Sequence, residues 1–157
     1  MAIEIERKFL VKGQQWRNQA TGTVYRQGYI PTNNGCTVRV RLMGNQAYLT
    51  IKGLTKGLSR TEFEYPIPIA DAQIMLDNLC QLPLIEKTRY KISFAGLLWE
   101  VDEFAGENQG LVLAEVELTD EQQFVELPDW IDKEVSDDPR YFNVNLAQHP
   151  FSQWSNQ

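Results

Sequence analysis

Apolar and polar residues alternate with a period of two along most of this chain. The first run, Ile3-Glu4-Ile5-Glu6-Arg7-Lys8-Phe9-Leu10-Val11, sets the pattern. Alternation of this kind predicts a strand with one face buried apart from the other. Similar runs cover 24–30, 36–43, 46–52, 60–69, 84–94, 97–104 and 111–119, with turn residues such as Asn33-Asn34-Gly35 and Gly44-Asn45 between them. Helical spacing is rarer. Ile74, Met75, Leu76 and Leu79 predict a helix over 70–80 with Asp71 in its first turn. Thr119-Asp120-Glu121-Gln122 reads as a cap leading into a short helix through Phe124. Asp137-Asp138-Pro139 starts a last helix carrying Arg140, Tyr141, Phe142, Val144, Leu146 and Ala147, and residues 149–157 look loose. The 53–59 stretch reads as a mobile hairpin loop rather than a lid over a substrate.

These elements predict one α+β domain over 1–157. Its eight strands, mostly hairpin-linked, form an antiparallel sheet, and eight is a number that can close into a barrel. A few helices flank it, one of them C-terminal.

Charge sharpens the picture. The chain carries 15 Lys and Arg against 21 Asp and Glu, a net charge of -6. That balance disfavours nucleic acid as a partner, since binding it needs a basic footprint. No apolar run reaches the roughly 20 residues that span a bilayer, so no membrane segment is expected. The acidic start, Met1-Ala2-Ile3-Glu4, is unlike a signal peptide. The two cysteines, Cys36 and Cys80, lack redox or metal spacing, and the cytoplasm is the expected compartment.

The decisive pattern is which strand face bears the charge. Residues i and i+2 share a face. One face carries Glu4, Glu6 and Lys8, then Arg39 and Arg41, Thr50 and Lys52, Glu62 and Glu64, Lys87, Arg89 and Lys91, Glu100 and Asp102, and Glu115 and Glu117. Most of these are same-sign doublets, which repel on an idle solvated face. They make sense if the faces converge on a shared polar interior. Leaving out Lys91, which looks set to lie beyond its mouth, that interior holds eight acids against six bases, a mildly acidic lining. Carboxylates without His or Cys suit hard cations such as Mg²⁺ or Mn²⁺, and clustered Arg and Lys suit phosphate oxygens. Together they point to a phosphorylated polyanion that arrives with metal.

The order of these motifs resembles the CYTH superfamily, the triphosphate tunnel metalloenzymes. Glu4-Ile5-Glu6-Arg7-Lys8 is similar to its ExExK signature. Arg39-Val40-Arg41, Thr50-Ile51-Lys52, Glu62-Phe63-Glu64, Lys87-Thr88-Arg89, Glu100-Val101-Asp102 and Glu115-Val116-Glu117 follow in the family's order, and the C-terminal segment resembles the short bacterial branch. The resemblance implies an eight-stranded antiparallel barrel forming a tunnel, and a divalent metal, Mg²⁺ or Mn²⁺, with two ions during turnover. It implies Glu4, Glu6, Asp102, Glu115 and Glu117 at or near the metal, with Glu62, Glu64 and Glu100 positioning bases or assisting there. Lys8, Arg39, Arg41, Lys52, Lys87, Arg89 and Arg140 would hold phosphates. Tyr29 and Lys87 match positions implicated beside the reacting phosphate.

The activity implied is hydrolysis of a terminal phosphate by a metal-activated water, with inorganic tripolyphosphate as substrate and a homodimer left open. Nucleoside or thiamine triphosphate hydrolysis is the alternative, and class IV adenylyl cyclase chemistry a lesser one. A non-catalytic polyphosphate- or nucleotide-binding module is the contrasting class.

Overall fold

Alternation becomes architecture in a computed structural model that describes residues 3–154. Nine strands form one antiparallel sheet: β1 (Ile3–Val11), β2 (Thr23–Ile30), β3 (Thr37–Met43), β4 (Gln46–Lys52), β5 (Ser59–Pro66), β6 (Ile85–Phe94), β7 (Leu97–Phe104), β8 (Val112–Glu117) and β9 (Ile131–Glu134). Their order is β5-β4-β3-β2-β6-β7-β8-β1-β9. Pairing of β1 with β5, Ile3 opposite Thr61 and Glu4 opposite Arg60, closes the first eight into a barrel. β1 is therefore the seam. It pairs with β8 from Glu6 to Leu10, and with β9 around Phe9 and Val11, so β9 takes the edge that β5 leaves.

Because charge fills the interior, the apolar faces point outward and need cover. One core packs Phe9, Trp99, Val101, Ala114 and Val116 beneath Trp16 and the Val125–Trp130 crossing. A second plugs one end of the barrel from within: Tyr29, Ile85, Phe104 and Leu113, on the same strand faces as the charges, join Tyr141, Leu146 and Ala147 of the C-terminal segment. In the third, α1 (Ile69–Asn78) sets Ala72 and Leu76 on Val40 and Ala47. The connection from β5 to β6 thus crosses the outside of the barrel over β3 and β4, the side on which α1 packs. No helix among the described residues is long and apolar enough to cross a membrane.

Three expectations change. Residues 119–124 form turns, not a helix. Gln123 Oε1 accepts from both the Thr119 amide and hydroxyl at 2.8 and 3.0 Å, closing the turn locally. The C-terminal helix is broken. Pro139–Tyr141 is a single 3₁₀ turn, Phe142 is extended, and α2 runs Asn143–Gln148. The tail is not loose as far as Trp154, whose ring meets Tyr141 and Phe151 edge-on at 5.2 and 5.0 Å. The rest of that tail lies outside the described residues.

α1 has neither a side-chain N-cap nor a basic last turn. Ten residues are too few to hold a helix alone, so docking holds it. Leu76→Ala is expected to cost about 2–5 kcal/mol, read as a lower urea midpoint at unchanged slope.

Candidate functional site

The barrel encloses a cavity of about 280 Å³. Every barrel strand contributes charged or hydroxyl groups to its wall, because register aligns the charged faces: Lys8 lies opposite Glu115, Glu6 opposite Glu117, Glu100 opposite both Glu115 and Lys91, and Lys52 opposite Glu62. Along β1, Glu4 and Lys8 are about 13 Å apart at the usual strand rise. The Glu4 end meets Thr55, Gly57 and Leu58 of the β4–β5 loop, and the Lys8 end meets Phe142 and Asn143 at the start of α2. The 53–59 loop is thus part of the cavity wall, and Glu121 tethers it by accepting from the Leu58 amide and the Ser59 hydroxyl.

The two ends differ in chemistry. Toward the loop, Glu4 pairs with Lys52 at 2.9 Å and lies 3.6 Å from Arg60, while Glu62 lies 3.5 Å from Lys52. Carboxylates still outnumber their partners there. Partial burial pushes the Glu117 carboxyl up, and Glu4, Glu62 and Glu100 push it further. Deeper in, burial and then the Glu115 and Glu4 charges hold the Glu6 carboxyl well above the usual range. Burial also opposes ionisation of Glu115, but Lys8 and Arg89 outweigh it and hold that carboxyl well below.

Toward α2 the excess is positive. Among the described residues, neither Lys8 nor Arg41 has a carboxylate within ion-pair distance, and buried Arg39 Nε has no hydrogen-bond partner. Burial, then Arg39 and Arg89, bring Arg41 down to about 10. Tyr25 lies between two guanidiniums, with Arg41 and Arg89 each 5.0 Å from its ring centre. Burial brings Lys87 down to about 7, although Asp102 supports its charge.

Most of the expected residues meet here: Glu4, Glu6, Lys8, Tyr29, Arg39, Arg41, Lys52, Glu62, Glu64, Lys87, Arg89, Glu100, Glu115 and Glu117 all line the cavity. Two do not. Asp102 is 1% exposed beneath the wall. It accepts from Arg89 Nε and Nη2 at 2.7 and 2.8 Å and pairs with Lys87 at 2.8 Å, so its oxygens are spent on bases. Arg140 lies outside the barrel, paired with Asp138 at 2.7 Å and stacked on Tyr141 and Trp154. Its expected reach into the tunnel is overturned, because the extended Phe142 ends the 3₁₀ turn and separates it from α2.

Lys91 does reach the cavity, and Arg60 joins it. With both included and Asp102 removed, the lining holds eight bases against seven acids, so its formal sign is slightly positive rather than acidic. Tyr25, Arg60, Gln27 and Asn143 are the residues the charge pattern missed. Arg60 shares the face of Glu62 and Glu64, which is a usable signal; the neutral three carry no charge mark.

The donor set is carboxylate oxygen throughout, which fits a hard divalent cation. Among the described residues no three acidic side chains are already gathered to hold one. Glu4, Glu100 and Glu115 instead lean on Lys52, Arg60 and Arg89. A cation therefore competes with the protein's own bases for these carboxylates.

A CYTH domain model matches residues 2–149. The chain belongs to the CYTH family. Within it, the chain is 52% identical over 151 residues to an inorganic triphosphatase of Acetivibrio thermocellus, covering 96% of this chain and 97% of that one. It is 38% identical over 149 residues to an inorganic triphosphatase of Nitrosomonas europaea, covering 92% and 96%. A crystal structure of an inorganic triphosphatase superposes with a TM-score of 0.63 at 34% identity, over 91% of this chain and 96% of that one. The closed eight-stranded barrel described above is thus the CYTH fold.

Two substitutions separate residues that hold the barrel from residues held for a ligand. Asp102→Asn leaves Arg89 and Lys87 buried without their carboxylate, and a loss of about 3–5 kcal/mol is expected. Arg41→Gln relieves a buried, carboxylate-free guanidinium, so unfolding free energy should fall by less than about 1 kcal/mol while affinity for an inorganic phosphate probe in the cavity drops. Denaturant melts and binding titrations of both variants check this contrast.

Proposed function

We propose that the chain hydrolyses inorganic triphosphate to diphosphate and orthophosphate with a divalent cation, Mg²⁺ or Mn²⁺. The supporting observation is the cavity's polarity: surplus carboxylates at the loop end, surplus cations at the α2 end, inside one closed barrel. Family members named inorganic triphosphatase support the same reading.

Lys8, Arg39, Arg41 and Arg89 bind and orient the phosphate chain, and Lys52 joins them from the loop end. Glu62 and Glu64 position bases: Glu62 beside Lys52, and Glu64 on Arg39 at 3.3 Å. Glu4, Glu6, Glu100, Glu115 and Glu117 are the carboxylates that would hold the cation, up to two ions in turnover. When bound, the cation neutralises phosphate oxygens and makes water a stronger nucleophile. Asp102 takes a different part from the one first expected, fixing Arg89 and Lys87 rather than touching metal.

In the reaction, water oxygen bonds to the terminal phosphorus and the bridging P–O bond breaks, its electron pair leaving on the diphosphate oxygen. Such transfers depend on positioning and charge neutralisation more than on covalent help. Lys87, brought near 7, carries a proton it can give to that leaving oxygen at neutral pH, while the Tyr29 hydroxyl orients it.

Inorganic substrate is favoured over a nucleoside or thiamine triphosphate because the aromatic rings in the cavity are already engaged. Tyr25 lies between two arginines, and Phe142 lies under Lys8. A free stacking surface for a base is what a nucleotide-specific or cyclase site needs. A purely binding module needs the cations but not seven carboxylates.

Phosphate release tests this directly. Tripolyphosphate should be cleaved with Mg²⁺ and not with chelator, faster than ATP or thiamine triphosphate, and pyrophosphate should resist. Glu115→Gln should lower turnover at least about 100-fold without unfolding the barrel. Chelator-insensitive release, or none from any triphosphate, contradicts the proposal.

A further inference from the structure

Gln27 is a neutral amide with no exposed surface in the most highly charged part of the molecule. Its position in β2 places it on the inner face between Tyr25 and Tyr29, opposite Arg41 of β3. Its Oε1 accepts from Arg41 Nε at 2.8 Å. Its Nε2 donates to the Tyr29 hydroxyl oxygen at 3.1 Å and to Asn143 Oδ1 at 3.4 Å. Asn143 Oδ1 in turn accepts from Lys87 Nζ at 3.0 Å. Two amides thus connect one phosphate-facing arginine, the tyrosine and the lysine.

The chemistry of an amide explains why it stands there. A carboxylate at position 27 would also hold Arg41, but would cancel charge meant for phosphate. An amide oxygen fixes the direction of a cation and leaves its charge available. The donor side matters as much. Gln27 Nε2 donates to the Tyr29 oxygen, so the tyrosine does not spend its own O–H on Gln27. That proton stays free to point into the cavity, where Tyr29 forms part of the wall.

We propose that Gln27 is a positioning residue, which sets the Tyr29 hydroxyl as a donor toward the phosphate chain, while its bond to Arg41 serves substrate binding and is read in KM rather than kcat. This rests on the role given above to Tyr29 and acts only through it and its neighbours. Gln27 itself does not touch the substrate.

A double-mutant cycle on tripolyphosphate hydrolysis tests the idea. Gln27→Met removes donor and acceptor at similar volume, and Tyr29→Phe removes only the hydroxyl. Each single change should lower kcat about 10-fold or more, the worth of one strong hydrogen bond at the transition state. In the Tyr29→Phe background, Gln27→Met should lower kcat by less than about 2-fold further, because its target is gone. Gln27→Glu keeps the shape and the acceptor to Arg41 but turns the Tyr29 hydroxyl into a donor to the protein. It should lower kcat as Gln27→Met does and also raise KM, and it serves where Gln27→Met folds poorly. Full turnover in Tyr29→Phe defeats both the role of Tyr29 and this inference. A fall in Tyr29→Phe with an independent, multiplying loss from Gln27→Met or Gln27→Glu keeps that role and overturns the inference alone.

Discussion

Asp102 carries the constraint on which the rest of the barrel depends. It is buried beneath the cavity wall, takes both hydrogen bonds of Arg89 and pairs with Lys87. Burial resists its ionisation, yet Arg89 and Lys87 outweigh burial and hold its carboxyl below the usual range. One carboxylate thus anchors two buried bases, and the remaining carboxylates of the wall are left facing the cavity. By linkage, this group stabilises the fold above the ordinary carboxyl pKa and loses that contribution as acid protonates it.

A charged interior reverses the usual layering. The outward apolar faces are covered by Trp16 and the Val125–Trp130 crossing on one side and by α1 on another, while the C-terminal segment plugs the deep end of the barrel against inward apolar residues. The C-terminal plug also contributes to the cavity. The segment bearing Tyr141 and Leu146 for the second core brings Phe142 and Asn143 to the wall. At that end fold and site are built by the same residues, and the cations without carboxylates find neutral acceptors instead, Lys8 in the Tyr141 carbonyl at 3.1 Å and Arg41 in Gln27 at 2.8 Å.

What the sequence discloses follows from what carries period-two charge. Six of the eight barrel strands, and most of the charged wall residues, announce themselves as same-sign doublets; β2 carries none and β4 pairs Thr50 with Lys52. β9 does not, since Ile131–Glu134 is too short to alternate and exists because β5 leaves part of the β1 edge unpaired. Asp102 shares its face with Glu100, but the sequence does not reveal that Arg89, directly opposite across the β6–β7 register, takes up its carboxylate. Arg140 looked like one more base near the site, and only the extended Phe142 separates it from the cavity. Gln27 and Asn143 act through hydrogen bonds between distant elements, for which residue type alone gives no mark.

In the reaction proposed above, metal and triphosphate each compete with the same internal ion pairs and so assist one another. Phosphate oxygens would engage Lys52, Arg60 and Arg89 and so free Glu4, Glu100 and Glu115 for a cation. Calorimetric titration of Mg²⁺ into the protein, with and without a saturating non-hydrolysable imido analogue of tripolyphosphate and with free Mg²⁺ buffered, measures this coupling. The account predicts at least about a 10-fold gain in Mg²⁺ affinity with the analogue bound, a coupling of about 1.4 kcal/mol. Equal affinity in its presence and absence would contradict it.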